Sequence, residues 1–312
     1  MTRNSDLILN QLLRGLHQQP RGTKIWLIAI LIILGSMIGD TIPCSAQKVM
    51  KQELRRPGKA ESLGDHEGDS VIVVGATVRE IPAYCFAGCE GLKRVEFAED
   101  SRLTSIGAFA FTECESLTEI RIPESVTSIG DGAFRGCRKL EAVILPARLH
   151  NIPREAFAYC RNLKHINLPS ALTSIGPLAF LDCRELDIRR LPASVAKIGN
   201  NAFGRCYSLK EMVLPRNCRS LGSYAFADCS ALERIVMPAN SAMLGELLFS
   251  GCPNLRDIEE PSRVPPAIEC KSFLFEPSDT AAWRDCRIHI PAGSESAYRN
   301  SPYWNSFNSI KE

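Results

Sequence analysis

Cys114, Cys137, Cys160, Cys183, Cys206, Cys229 and Cys252 stand at six consecutive intervals of 23 residues. Cys89 extends the series with an interval of 25, the two extra residues falling near 99–101. Phe111, Phe134, Phe157, Phe180, Phe203, Phe226 and Phe249 hold the same spacing three residues ahead of each cysteine, and Ile106, Ile129, Ile152, Ile175, Ile198, Leu221 and Leu244 form a third column in phase. A chain with three such columns must coil at a fixed pitch and stack each coil on the last.

One unit, residues 129–151, shows the local physics. Leu140-x-x-Val143-x-Leu145 alternates as a short strand with one buried face does, and Pro146 ends it because proline cannot donate to a ladder. Ala133-Phe134-x-x-Cys137 has the spacing of a single helical turn, with Gly130 and Gly132 permitting the bend before it. The other glycines at this register, Gly176, Gly199 and Gly222, are assigned to turns as well. A single coil cannot close a core, whereas a stack can.

The unit Ile-Gly-x-x-Ala-Phe-x-x-Cys-x-x-Leu-x-x-Ile-x-Leu-Pro resembles the leucine-rich repeat of the BspA-like bacterial cell-surface family. The resemblance runs from residue 81 to about 261, in eight units, and the tail Tyr298-x5-Trp304-x2-Phe307-x2-Ile310 looks like the closure common in such proteins. It implies an exported or surface-displayed binding protein, often an adhesin. The expected fold is a mainly β, right-handed, parallel-stranded leucine-rich repeat solenoid of about eight 23-residue units with terminal caps. Leu-x-x-Ile-x-Leu segments form one sheet and segments such as 126–129 a second. Val71 to Val78 caps the first coil within a capping stretch, 71–80. Residues 262–312 close the other end, with 287–291 as the last strand and Tyr298, Tyr303, Trp304 and Phe307 behind it.

Residues 25–38 carry no charge, follow Arg14, Arg21 and Lys24, and precede Cys44-Ser45-Ala46. That order reads as a secretory signal over 1–46, cleaved after Ala46, with a retained anchor and lipidation at Cys44 as alternatives. The apolar run is shorter than the roughly 20 residues of a comfortable bilayer span. Residues 47–70 are charged and poor in apolar groups, which marks a linker. Localisation is expected to be secreted or at the cell surface, on the exterior of a bacterial outer membrane.

Chemistry is sparse. Lys plus Arg is 37 against 35 for Asp plus Glu, a balance that argues against nucleic-acid binding. No phosphate loop, dinucleotide fingerprint, nucleophile elbow or zinc helix motif occurs. His66, among Asp65, Glu67 and Asp69, reads as a solvated patch rather than a metal site. No catalytic residue, cofactor or metal is expected. The ladder cysteines read as small buried hydrophobes, because stacked side chains run parallel and hold their Cβ atoms too far apart for regular bridging. Cys270 and Cys286 are left as a possible disulfide pair.

The remaining surface is the outer face of the longer strands. Its expected protein-binding residues are Arg121, Ile144, His165, Asn167, Ile188, Arg190, Val213, Arg234 and Val236. They form an apolar centre of Ile144, Ile188, Val213 and Val236 with arginines around it. In the fifth unit Arg189 occupies the inward column, so either a bulge turns Ile188 in and Arg189 out or Arg189 pairs with an acid such as Asp187. The expected partner is an extracellular, host or neighbouring-cell protein met by a monomer, with no nucleic acid and no membrane span after cleavage. Carbohydrate binding and a ligand-free spacer are the alternatives.

Overall fold

The computed structural model describes residues 71–239, 243–266, 274–275 and 285–312. The signal segment, the linker with His66, and Cys270 lie outside them. Each repeat makes one coil: a strand of three or four residues, a proline turn, a two-residue strand, and an arc of tight turns. The longer strands Val71–Val74, Arg94–Phe97, Glu119–Arg121, Ala142–Ile144 and His165–Asn167 pair in parallel as one sheet, with Ala142 opposite His165 and Ile144 opposite Asn167. Glu211–Val213, Arg234–Val236, Asp257–Glu259, Arg287–His289 and Ser309–Lys311 resume the pattern further along the chain. The two-residue strands form a narrower sheet, from Glu80–Ile81 to Ser128–Ile129 and again from Asn151–Ile152 to Met243–Leu244. The expected parallel-stranded solenoid is therefore the fold.

The terminal strands are rungs in their own right. Val71–Val74 pairs in register with Arg94–Phe97, and Arg287–His289, expected to be last, is followed by Ser309–Lys311. Tyr298, Trp304 and Phe307 are buried behind them. The Tyr298 hydroxyl donates to the Ser262 carbonyl at 2.9 Å, and Trp304 Nε1 donates to the Pro266 carbonyl at 3.1 Å. Both rings therefore satisfy their polar ends while covering the last coil.

The core is a set of columns, each filled by one position of the repeat. The phenylalanines from Phe86 to Phe226 stack with ring centroids 5.1–5.6 Å apart. Phe249, Phe275 and Phe307 continue the column with rings turned progressively, at 49° and then 63° between planes, so it runs into the C-terminal closure. Cys85 stands in the alanine column and Cys218 in the column of Val126, Leu149, Leu172 and Val195, all buried.

The cysteine column does more than fill space. Each thiol donates to the carbonyl of the preceding coil's phenylalanine: Cys137 Sγ lies 3.1 Å from Phe111 O, and the same bond recurs from Cys114 to Cys252. Phe111 O also accepts the backbone N–H of Cys114, so its two lone pairs are used by two coils. Cysteine is the small apolar residue that carries a donor, and alanine would leave that second site empty. Cys137, Cys160, Cys183, Cys206, Cys229 and Cys252 are free thiols. Burial pushes the pKa values of Cys137, Cys160, Cys183, Cys206 and Cys229 upward, which keeps them protonated donors.

The glycines need correction. Gly107, Gly130, Gly176, Gly199, Gly222 and Gly245 are not bent into left-handed conformations. A Cβ on any of them would lie 2.2–2.7 Å from the backbone of the previous coil, so they permit close stacking rather than turning. The bend is made elsewhere, by two left-handed residues per arc flanking the Ala-Phe pair: Phe109 and Glu113, Gly132 and Gly136, Glu155 and Tyr159, Asn201 and Arg205. Of the two glycines assigned to the bend in residues 129–151, only Gly132 makes it.

Both sheets are interrupted once. Pro153 stands where other coils have a glycine whose N–H donates to the preceding coil, and the narrow sheet splits between Ser128–Ile129 and Asn151–Ile152. The longer sheet splits at residues 187–190. Arg189 is exposed and Ile188 packs against the core, which is the bulge outcome. Only Arg190 makes a bridge there, to Val213. The cost falls on the neighbouring coil, where Ile166 and Leu168 are half-buried although Val143, Leu145, Met212 and Leu214 are fully covered.

Candidate protein-binding face

Alternation of the longer strands puts two columns of side chains on the outer face. One runs Arg94, Glu119, Ala142, His165, Glu211, Arg234, Asp257 and Arg287, the other Glu96, Arg121, Ile144, Asn167, Arg190, Val213, Val236, Glu259 and His289. Arg121, His165 and Arg190 are exposed, and Ile144 is 40% exposed. Val213, Arg234 and Val236 are half-buried.

These residues do not form one patch. Ile188 leaves the expected apolar centre because the bulge turns it inward. Asn167 is exposed, but its amide is taken: Oδ1 accepts the Leu145 N–H at 2.6 Å and Nδ2 donates to the Leu145 carbonyl at 3.0 Å. That side chain stitches two coils together. Val213 and Val236 stand opposite each other in register, with Arg234 beside them bridging Glu211 and Glu259. Ile144 is separated from them by the Asn167 and Arg190 positions.

The C-terminal third of the face is neutralised internally. Asp257 accepts from Arg287 Nη2 at 2.5 Å and lies 2.7 Å from His289 Nε2. Burial works against its charge, but those two hydrogen bonds outweigh it and hold the carboxyl below its ordinary range. Another arginine pair, Arg161 and Arg184, clamps Asp182, which is only 2% exposed, with each Nε at 2.9 Å; it lies in the arc and not on the sheet.

At the other end the face holds a groove of about 750 Å³. Its walls include Glu96, Phe97, Glu99, Arg121, Pro123 and Ile144. Of these, Arg121 and Ile144 belong to the expected set, and the rest were missed. The cue in the sequence was the 25-residue interval: its two extra residues fall near 99–101, and Ala98, Glu99 and Ser101 line the groove. Among the described residues no cluster of three or more His, Cys, Asp or Glu could hold a metal ion, and no helix is long and apolar enough to cross a membrane.

The model of the BspA-type leucine-rich repeat region matches residues 70–187 and 183–277, in six copies. Solved structures similar to the chain include a leucine-rich cell surface protein of Faecalibacterium prausnitzii, 25% identical over 78% of each chain with a TM-score of 0.39. A leucine-rich repeat protein of T. pallidum is 26% identical, covering 64% of this chain and 81% of that one, with a TM-score of 0.39. The pneumococcal vaccine antigen PcpA is 18% identical over 78% of this chain and 79% of its own, with a TM-score of 0.40. No curated protein matches the chain.

Proposed function

The chain belongs to the BspA-type leucine-rich repeat family, and from that premise we propose that it is an exported, non-enzymatic module that binds a protein at or beyond the cell surface. Proteins of this family are typically binding proteins rather than enzymes, with roles in protein binding or adhesion. The observation that carries the reading here is the groove at the N-terminal end of the longer sheet. It combines an exposed Ile144 and a half-buried Phe97 with charged walls of both signs. An apolar floor ringed by charge is the composition of a protein-recognition surface. A rigid stack presents it without ordering cost, which favours affinity.

Photo-crosslinking on the producing cells tests this. A benzophenone amino acid at position 144 is expected to capture one protein species that the same probe at position 138, on the arc, does not. Equal capture at both positions, or capture of glycan alone, would refute the assignment of this face.

A further inference from the structure

The bulged coil is the place where the outer face is chemically incomplete. Ile166, Leu168 and Ile188 are half-buried there, although Val143, Leu145, Met212 and Leu214 in the flanking coils are covered. Among the described residues the backbone N–H groups of Leu168, Ile188, Arg189 and Arg190 have no acceptor, because the strand 165–167 finds no partner strand in residues 187–190. The side chains around the gap are cationic: Lys164, His165, Arg189 and Arg190 are exposed, with Asp187 the one acid in the strand segment. No ion pair engages Arg189 or Arg190 among the described residues, whereas Arg234 and Asp257 two and three coils further on are fully occupied.

Backbone donors left without acceptors, on an outer face that carries exposed cations beside half-buried apolar groups, favour an extended acidic chain lying across them. Apolar side chains set among unpaired cations then specify its sequence: acidic residues for Arg189, Arg190 and Lys164, alternating with aliphatic ones for Ile166, Leu168 and Ile188. The geometry points to residues 164–168 and 187–190 as a docking site for an extended protein segment that alternates acidic and apolar residues. The inference rests on the protein-binding reading and supplies a second, chemically defined contact on the same face, beginning one coil beyond the groove. Charge complementarity across such a contact governs selectivity and association rate.

Fluorescence anisotropy of the full chain with a fluorescein-labelled Glu-Val-Glu-Val-Glu-Val-Glu peptide tests it, with Lys-Val-Lys-Val-Lys-Val-Lys as the counterpart. The acidic peptide is expected to bind at low salt and the basic one not to. Arg189→Gln with Arg190→Gln should weaken binding at least tenfold while leaving the thermal melt in place, since both side chains are exposed. Arg121→Gln, in the groove, should leave peptide affinity unchanged. Equal binding of both peptides, no binding of the acidic one, or undiminished binding by the double variant would overturn the site. Those results leave the crosslink at position 144 untouched, so the two readings fail separately.

Discussion

Glu260 stands in a column otherwise apolar, which includes Ile122, Leu145, Leu191, Leu214, Met237 and Ile290, and it is 0% exposed. Oε1 accepts the Ser262 N–H at 3.1 Å, while Oε2 has no hydrogen-bond partner. Burial raises the carboxyl from 4.5 to about 7, the Ser262 bond opposing it only in part. The folded chain thus binds a proton that the unfolded chain has released between those two values. Stability falls as pH rises through that window and levels off above about pH 7. At about 1.4 kcal/mol per tenfold, the gap corresponds to ~3 kcal/mol lost at pH 8. Glu260→Leu restores the column and removes the ionisable group. It should therefore be more stable than the parent by about that amount at pH 8, and by much less at pH 5. In a chain of this size ~3 kcal/mol moves a melting midpoint by roughly 6–10 °C. Paired melts of parent and variant at pH 5, 6, 7 and 8 measure the difference. A difference that is flat with pH, or a variant less stable at pH 8, would refute the reasoning.

Cys160→Ala removes the thiol that donates to Phe134 O and leaves a small void, so urea unfolding should show a loss of about 1–2 kcal/mol, about as large for Cys183→Ala. Gly199→Ala drives a Cβ to 2.4 Å from the Pro177 backbone nitrogen and should cost about 3 kcal/mol or more; a neutral result would show that the coils can separate freely. Arg205→Gly relieves a left-handed backbone at φ 60° and gives up only an exposed ion pair with Asp228, so its melting midpoint should rise by a few degrees.

The columns of Ile, Phe, Cys and Leu were legible in the sequence because each recurs at one fixed distance. What escaped broke that distance or left no side-chain trace. Phe275 and Phe307 join the aromatic column at intervals of 26 and 32 from their predecessors, so spacing alone hid them. The left-handed residues are chemically diverse, Tyr159, Asp182 and Arg205 among them, and only the backbone unites them. The glycine recurring at one register was visible, but its reason, a neighbouring coil at contact distance, is tertiary. On the face, the arginine at 189 announced an irregularity, yet whether it would pair or turn outward depended on packing. The groove is lined by Ala98, Glu99 and Ser101 at the two extra residues of the 25-residue interval, where spacing marks an insertion but not the cavity beside it.

The two interruptions fall at different heights. Where Pro153 parts the narrow sheet, the longer strands Glu119–Arg121 through His165–Asn167 run on unbroken; where the bulge parts the longer sheet, Ser174–Ile175, Lys197–Ile198 and Ser220–Leu221 stay paired. As in bricks laid with offset joints, no seam passes through the whole wall. Each gap is clasped by a continuous ladder on its opposite side, so at neither interruption do both sheets lose their strand pairing together.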